Sequence, residues 1–214
     1  MSKEQILQRI RAGKHSMQMI DEVPTADPVK YIKEDPSHDL YKEFTTRIVE
    51  NRSILVESSE DKLVDDINAI LAKEGAKHLI YSNEQLPFDA SALNIEKKFK
   101  FDKPIEEFKK DIFTFDVSIV QTKYAVASHG TCCVASSPDQ PRLMSLSPKI
   151  CIMLVKKENI VNSLSEALHN LKAQNGGRLP TNTIFITGPS RTADIELQTI
   201  IGVHGSQIAY CVTY

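Results

Sequence analysis

The sequence predicts an α/β fold, with an open, mostly parallel sheet, flanking helices and an inserted antiparallel piece. Helical and strand-like runs alternate near the front of the chain and again near its back. Closely spaced β-type runs fill the middle, around Gly130. The 214 residues, of which 41% are hydrophobic and 25% charged, suit one α/β domain with a sizeable core.

The N-terminal segment has a different pattern from the rest. Ser2 and Gln5 have the spacing of a capping box, and apolar residues then recur at helical intervals. Residues 13–37 show little periodicity and contain three prolines. We therefore predict an N-terminal helix and extended arm over residues 1–37, and the α/β domain over residues 38–214.

The front of the domain is predicted to run helix, strand, helix, strand. Apolar spacing predicts helices over residues 38–51 and 63–71, and Gly75 is a good stop for the second. Short apolar runs predict strands at Ser53–Glu57 and His78–Tyr81. Short links between these elements favour a parallel βαβ unit.

The middle of the domain carries the β-type runs. They lie at residues 117–120, 124–127 and 132–134 and predict strands. Gly130 separates the last two, which indicates a hairpin or meander. Before them, an irregular stretch with an inserted strand and a short helix over residues 105–112 are expected.

The back of the domain repeats the alternation of the front. After a polar loop, the apolar run Ile150–Val155 predicts a strand, and residues 161–171 predict an amphipathic helix. Two further strands are expected at Thr183–Thr187 and Ile208–Val212. This order favours a second βαβ unit.

Composition excludes several functional classes. A net charge of −2 without a basic stripe disfavours nucleic-acid binding. An apolar run long enough to span a membrane is missing, as is an apolar signal-peptide core, so we expect a cytoplasmic protein. The four cysteines form no C-x-x-C pair and lie mostly in apolar runs, which favours reduced, buried thiols.

The peptide Gly188–Glu196 is the most informative stretch. It follows a predicted strand and is expected to open a short helix, and ligands of open α/β sheets collect outside the carboxyl ends of strands. Arg191 is suited to clamping a carboxylate or phosphate. The predicted ligand-binding residues are Gly188, Ser190, Arg191 and Thr192, with Asp194 and Glu196 in supporting positions. The alternative is a capped strand-to-helix turn in which Arg191 only pairs with a nearby acid.

Two histidines are candidate catalytic residues. His129 lies between two β-type runs, where it is either a general acid or base or an exposed bystander. The following Gly130 and Thr131 are candidates for presenting backbone N–H groups to an anion. His204 lies between Gly202 and Gly205, either near the Arg191 segment or in an ordinary turn.

Metal and nucleotide motifs are missing from the sequence. Cys132 and Cys133 beside His129 are a poor metal set, because neighbouring strand residues point to opposite faces. There is also no P-loop, no G-x-G-x-x-G and no G-x-S-x-G. We expect no metal and no cofactor in this chain.

The C-terminal motifs Gly188–Glu196 and Gly202–Gly205 resemble the signature of the LUD-domain family, in its lactate utilization protein C (LutC/YkgG-like) branch. Tyr124–Thr131 resembles the family's second motif, which usually ends Glu-Thr-Gly-Thr. Ser128 stands at the Glu position and His129 at the first Thr position.

The resemblance implies a fold similar to the NagB/RpiA/CoA-transferase-like group. It also implies a subunit of a complex that oxidises L-lactate to pyruvate, with iron–sulfur clusters in partner proteins. The Arg191 peptide adds the expectation of a small anionic ligand on this chain. Related CoA transferases carry the acyl group on a glutamate, which Ser128 cannot replace chemically. The alternatives are a stand-alone CoA-transferase-like or sugar-phosphate-isomerase-like enzyme acting on a small acid, and an anion sensor.

Overall fold

The computed structural model describes residues 2–16, 39–108, 111–193 and 199–214. It divides into the units Met1–Pro36 and Ser37–Tyr214. In the first unit, helix α1 (Lys3–Ser16) begins with the predicted capping box. The Ser2 amide donates to Gln5 Oε1 at 2.9 Å, and the Gln5 amide donates to Ser2 Oγ at 3.3 Å. The predicted arm after α1 lies outside the described residues, and the proposed domain division stays a prediction.

The second unit contains the α/β elements. Its helices are α2 (Leu40–Glu50), α3 (Leu63–Glu74), α4 (Ile105–Phe108), α5 (Leu143–Leu146) and α6 (Leu164–Gln174). Its strands are β1 (Ile54–Glu57), β2 (His78–Tyr81), β3 (Lys97–Lys100), β4 (Val117–Gln121), β5 (Tyr124–Val126), β6 (Thr131–Ala135), β7 (Ile150–Val155), β8 (Ile160–Val161), β9 (Thr183–Ile186), β10 (Arg191–Ala193), β11 (Thr199–Ile201) and β12 (Ile208–Thr213). In the part of the chain that is described, no helix is long and apolar enough to cross a membrane.

The main sheet is parallel throughout, which confirms the predicted fold class. Within the described residues it has six strands in the order β1-β12-β7-β4-β2-β3. β1 and β2, predicted as one βαβ unit, share this sheet but are separated by β12, β7 and β4. Local alternation indicates parallel strands, but it does not specify which strands become neighbours.

The second sheet is the predicted antiparallel insertion. Among the described strands its order is β8-β5-β6-β9, with β5 and β9 both antiparallel to β6. The prediction that Thr183–Thr187 closes a second βαβ unit is wrong, because β9 pairs with β6 rather than with β7. The chain joins the second sheet at β8, before α6, and returns to that same sheet at β9.

Two cores lie on opposite faces of the main sheet. In β7, Ile150, Ile152 and Leu154 pack with α3 on one face, whereas Cys151 and Met153 pack toward α2 and the second sheet. A third core joins the far face of the second sheet to α6. The layers are therefore α3, main sheet, second sheet with α2, and α6.

The cysteines are buried free thiols, as predicted. Cys132 lies in the core between the two sheets and Cys133 in the core beneath α6, so the two neighbours do point to opposite faces. Burial raises the pKa of the Cys133 and Cys151 thiols to about 12. Both thiols therefore stay protonated at neutral pH.

The strand β3 forms one edge of the main sheet and has the sequence Lys-Lys-Phe-Lys. All four of its side chains are exposed. The Phe99 ring contacts the Phe115 ring edge-on, with 5.0 Å between centroids. This edge of the sheet is therefore lined by lysine side chains.

Candidate functional site

The C-terminal turn of α2 forms one wall of the site. Asp39 caps the helix by accepting a hydrogen bond from the Lys42 amide at 3.0 Å. Phe44 and Ile48 bury the apolar face, which leaves Arg47 on the exposed side. The helix ends at Asn51, and its position in the fold is thus set by packing and by an N-terminal cap.

A 3-10 turn at Ala127–His129 forms the facing wall and packs tightly on α2. It ends at Gly130, whose φ of 56° is left-handed. A Cβ on Gly130 would lie 2.5 Å from the carbonyl carbon of Arg47 and from the amide nitrogen of Ile48. Only glycine fits this contact. The Gly130 amide donates to the Ala127 carbonyl at 3.2 Å and is thereby engaged within the turn.

Asn51 connects the two walls. Its side-chain Nδ2 donates to the His129 carbonyl at 2.8 Å and to the Gly130 carbonyl at 3.4 Å. A Cβ on Gly188 would lie 2.2 Å from the Asn51 carbonyl oxygen, and the Gly188 φ is 149°. Both predicted glycine motifs, at Gly130 and Gly188, therefore pack against the end of α2.

Ser128 and His129 are in direct contact in this turn. Ser128 Oγ lies 2.7 Å from His129 Nδ1. Neighbouring residues in a strand would face apart, but Ser128 and His129 lie in a 3-10 turn, which allows this contact. Ser128 is half-buried, whereas His129 is exposed, so the imidazole is open to solvent.

The motif after the turn meets the strand that precedes Gly188. Thr131 Oγ1 lies 3.0 Å from Thr187 Oγ1, because β6 and β9 are paired with Cys132 opposite Ile186. The two motifs are 56 residues apart in sequence at this contact. The structure therefore brings them together, although the sequence predicts them as separate sites.

The third motif is held against the Gly188–Ser190 segment. The Ser190 amide donates to the Ser206 carbonyl, and the Gly202 amide donates to the Ser190 carbonyl, both at 2.9 Å. The His204 amide donates to Ser190 Oγ at 3.4 Å. The prediction that His204 returns to this segment is confirmed, and its side chain is exposed.

The predicted helix after Ser190 is wrong for Arg191–Ala193, which form β10. This strand pairs with β11, so that Arg191 lies opposite Ile201 and Thr192 opposite Ile200. Pairing with β11 determines the structure here, although Ser190 and Thr192 are residues that favour a helix start. Arg191 is exposed, and Asp194 and Glu196 lie outside the described residues. Ligand binding by Arg191 and Thr192 stays a prediction.

The segment that begins at Gly188 is expected outside the carboxyl ends of the main-sheet strands, but it lies elsewhere. It follows the carboxyl end of β9, but β9 belongs to the second sheet. Ser206 Oγ donates to the Pro148 carbonyl and the Gln207 amide to the Lys149 carbonyl, both at 2.8 Å. Pro148 and Lys149 directly precede β7, so the segment lies at the amino ends of the main-sheet strands.

These walls enclose a cavity of about 400 Å³. It is lined by Arg47, Glu50, Asn51, Ser128, His129, Thr131, Leu164, Phe185 and Thr187. Of these residues, Ser128, His129 and Thr131 lie in a recognisable sequence motif, whereas the α2 residues do not. In the sequence Arg47, Glu50 and Asn51 are ordinary polar positions on a helix, and no motif marks them.

The cavity contains both signs of charge. Arg47 Nε donates to Glu43 Oε1 at 2.9 Å, and Glu50 lies on the same wall. Leu164 and Phe185 add apolar surface, and two threonine hydroxyls add polar groups. The arrangement suits a small ligand with an anionic end and a short apolar part.

A second cavity lies where open sheets commonly bind ligands. It has a volume of about 500 Å³ and is lined by residues that follow β4, β7 and β12, including Lys123, Lys156 and Tyr214. Its lysines form ion pairs within the chain, as Arg47 does in the first cavity: Lys123 Nζ lies 3.0 Å from Glu84 Oε2, and Lys156 Nζ lies 3.6 Å from Glu158 Oε1. Burial raises the pKa of Tyr214 to about 12.

The fold and the first cavity define a two-sheet α/β protein with a small-molecule-sized cleft beside the second sheet. Residues 38–213 match the LUD domain, and the chain belongs to the LUD domain family. The family predicted from the sequence motifs is thereby confirmed. A crystal structure of a DUF162 family protein from Deinococcus radiodurans has the same fold, with a TM-score of 0.59 and 17% identity over 81% of this chain and 95% of that chain.

Several curated relatives carry a functional name. Lactate utilization protein C from Halalkalibacterium halodurans is 29% identical over 81% of this chain and 78% of its own length. Lactate utilization protein C 1 from Bacillus mycoides is 30% identical over 69% of this chain and 67% of its own length. An uncharacterised protein from Neisseria meningitidis is 35% identical over 52% of this chain, and the match spans 48% of that protein.

Proposed function

We propose that this chain serves L-lactate utilization as a non-redox subunit of a complex that oxidises lactate to pyruvate. The observation that carries the proposal is the similarity to lactate utilization protein C over 81% of this chain. All four cysteines are buried in the core, which favours placing iron–sulfur clusters in partner proteins and no cofactor in this chain. We place the complex in the cytoplasm.

A growth experiment tests this role. A strain that lacks the gene, and any paralogue, is expected to lose growth on L-lactate while it still grows on pyruvate. Growth on pyruvate is the control, because pyruvate enters metabolism after the proposed step. Undiminished growth on L-lactate would remove the proposal.

The helix α1 is the proposed docking element for an iron–sulfur partner. Its side chains Ile6, Leu7 and Ile10 are 45%, 41% and 53% exposed. Apolar residues at helical spacing on an exposed helix suit a helix-in-groove contact. Ile6→Asp with Ile10→Asp should abolish co-purification with the co-expressed iron–sulfur protein, whereas Gln5→Glu should not. Co-purification that survives the double substitution would place the contact elsewhere.

The cavity beside α2 is the proposed binding site for a small anion. Arg47 supplies the cation, and the hydroxyls of Thr131 and Thr187 supply polar contacts beside it. The predicted residue Gly188 lies against the Asn51 carbonyl at this wall, Ser190 pairs with the His204 segment, and Arg191 is an alternative cation on β10. The carboxylate of L-lactate is the anion that we propose for this site, facing Arg47.

Calorimetric titration with L-lactate and with inorganic phosphate separates the two arginines. Arg47→Ala should weaken binding by about 1.5–3 kcal/mol, the cost of losing a charge-assisted contact. Arg178→Ala removes an exposed arginine after α6 and should leave binding unchanged. If Arg191→Ala weakens binding and Arg47→Ala does not, the ligand binds at β10 and the cavity assignment is wrong.

A further inference from the structure

The Ser128–His129 contact combines three features of an activated nucleophile. The hydroxyl oxygen lies 2.7 Å from an imidazole nitrogen, which is within reach for proton transfer. The serine is half-buried and lines the cavity, so that a bound ligand can reach it. The histidine is exposed and can return its proton to solvent or to a leaving group.

The surrounding contacts hold this pair rigidly. Asn51 fixes the His129 carbonyl, and Gly130 presses the turn against the α2 backbone. The Ser128 amide donates to the Asn162 carbonyl at 3.2 Å, which fixes the other end of the turn. Pre-organised geometry of this kind lowers the entropic cost of reaching a reactive arrangement.

We propose that Ser128 is a catalytic nucleophile, with His129 as its base, in the hydrolysis of a thioester or activated ester of a short acid. The acyl part would lie against Leu164 and Phe185, and an anionic group on the substrate would face Arg47. The proposal uses the same cavity as the proposed function but does not depend on a role in lactate utilization.

The reaction has two balanced steps. Ser128 Oγ attacks the acyl carbon while its proton passes to His129 Nδ1, and the bond from the acyl carbon to the thiol sulfur or to the alcohol oxygen breaks. The leaving group takes the proton from the imidazolium, which leaves an ester on Ser128. Water then attacks this ester, His129 takes and returns one proton, and the free acid leaves with Ser128 restored. Solvent water is the second substrate, and no electrons are exchanged.

The test uses the full-length protein with p-nitrophenyl acetate and with acetyl-CoA. We expect release of p-nitrophenol or free thiol, and mass spectrometry should locate one transient acetyl group on the peptide that carries Ser128. Ser128→Ala should abolish turnover and labelling. His129→Gln should slow acylation roughly 100-fold or more, as expected for loss of a general base.

Two further variants make the outcome decisive. Ser91→Ala removes an exposed serine far from the cavity and should change nothing. Ser128→Cys supplies another nucleophile and should still be acetylated, which separates loss of the nucleophile from loss of the fold. The proposal is overturned if Ser128→Ala turns over substrate at the original rate, if the label lies elsewhere, or if His129→Gln labels at an unchanged rate. Growth of Ser128→Ala on L-lactate reports on the proposed function separately.

Discussion

Among single residues, Gly130 marks a close approach of the 3-10 turn Ala127–His129 to the backbone of α2. Substitution by alanine places a methyl group 2.5 Å from two backbone atoms of α2, at a left-handed φ of 56°. Backbone atoms cannot yield as a flexible side chain does. We expect Gly130→Ala to lower the free energy of unfolding by about 1–3 kcal/mol from overpacking alone, measured by urea denaturation.

Gly75 offers a matched control for that measurement. It also has a left-handed φ, 61°, but a Cβ there would meet nothing within 4 Å. Gly75→Ala should therefore cost only the left-handed strain, about 1–2 kcal/mol. Equal losses for the two variants would show that the packing of the turn on α2 contributes nothing to stability.

The residues of the site could be predicted only where a motif surrounds them. Ser128, His129 and Thr131 stand beside a glycine between β-type runs, which draws attention to them. Arg47 and Asn51 lie about 80 positions earlier, on a helix whose apolar spacing explains it without any function. The sequence around Arg47 and Asn51 does not indicate that the end of α2 contacts the turn Ala127–His129, because that contact depends on the tertiary fold.

Among the elements, α2 positions the wall of the cavity and depends on its first turn. The Asp39 side chain accepts from the Lys42 amide, and one of the four unpaired N–H groups at the helix start is thereby satisfied. We expect Asp39→Ala to lower stability by about 1 kcal/mol. That loss corresponds to roughly 2–4 °C in the thermal midpoint of a domain of this size.

The replacement Asp39→Asn provides the control, because asparagine caps helices about as well as aspartate. It should leave the midpoint close to that of the original chain. A fall as large as that of Asp39→Ala would mean that the carboxylate acts through its charge and not through the cap.

Elements with strong local signals were predicted almost to the residue. β2 and β7 match their apolar runs, and α3 ends at Gly75 as expected. β10 was missed because its stability comes from β11, which lies outside any local window. The sequence also does not show that β9 belongs to the second sheet, because the chain enters that sheet before α6 through β8, a strand of two residues without a recognisable local signal.

For the whole molecule, the buried thiols make the free energy of unfolding depend on pH in the alkaline range. The pKa of Cys133 and of Cys151 rises from 9.0 to about 12 on burial, so the folded state keeps protons that the unfolded state loses. This contribution is complete below pH 9.0 and is lost as pH rises toward about 12. We expect the free energy of unfolding to fall across that range in urea titrations.

Replacing both thiols checks the assignment. Cys133→Ala with Cys151→Ala removes two titrating groups and should flatten the alkaline slope, although absolute stability also falls through lost packing. The double variant keeps Cys132, whose pKa is raised by its contact with Cys211 and by burial, and Tyr210 and Tyr214, whose pKa values are raised by burial, so part of the slope remains. An unchanged slope in the double variant would assign the pH dependence to other groups.

The lysine-lined strand β3 is the edge at which another chain could add a strand to the main sheet. A strand added beside it would lie about 4.8 Å away and, if it came from a second copy through the same edge, would bring the lysines of the two β3 strands close together. Like charges at that spacing repel, so the edge resists runaway strand addition. Acetylation of these lysines would remove that repulsion and leave an open hydrogen-bonding rim, so fibril formation under mild heating is expected to rise with the degree of acetylation.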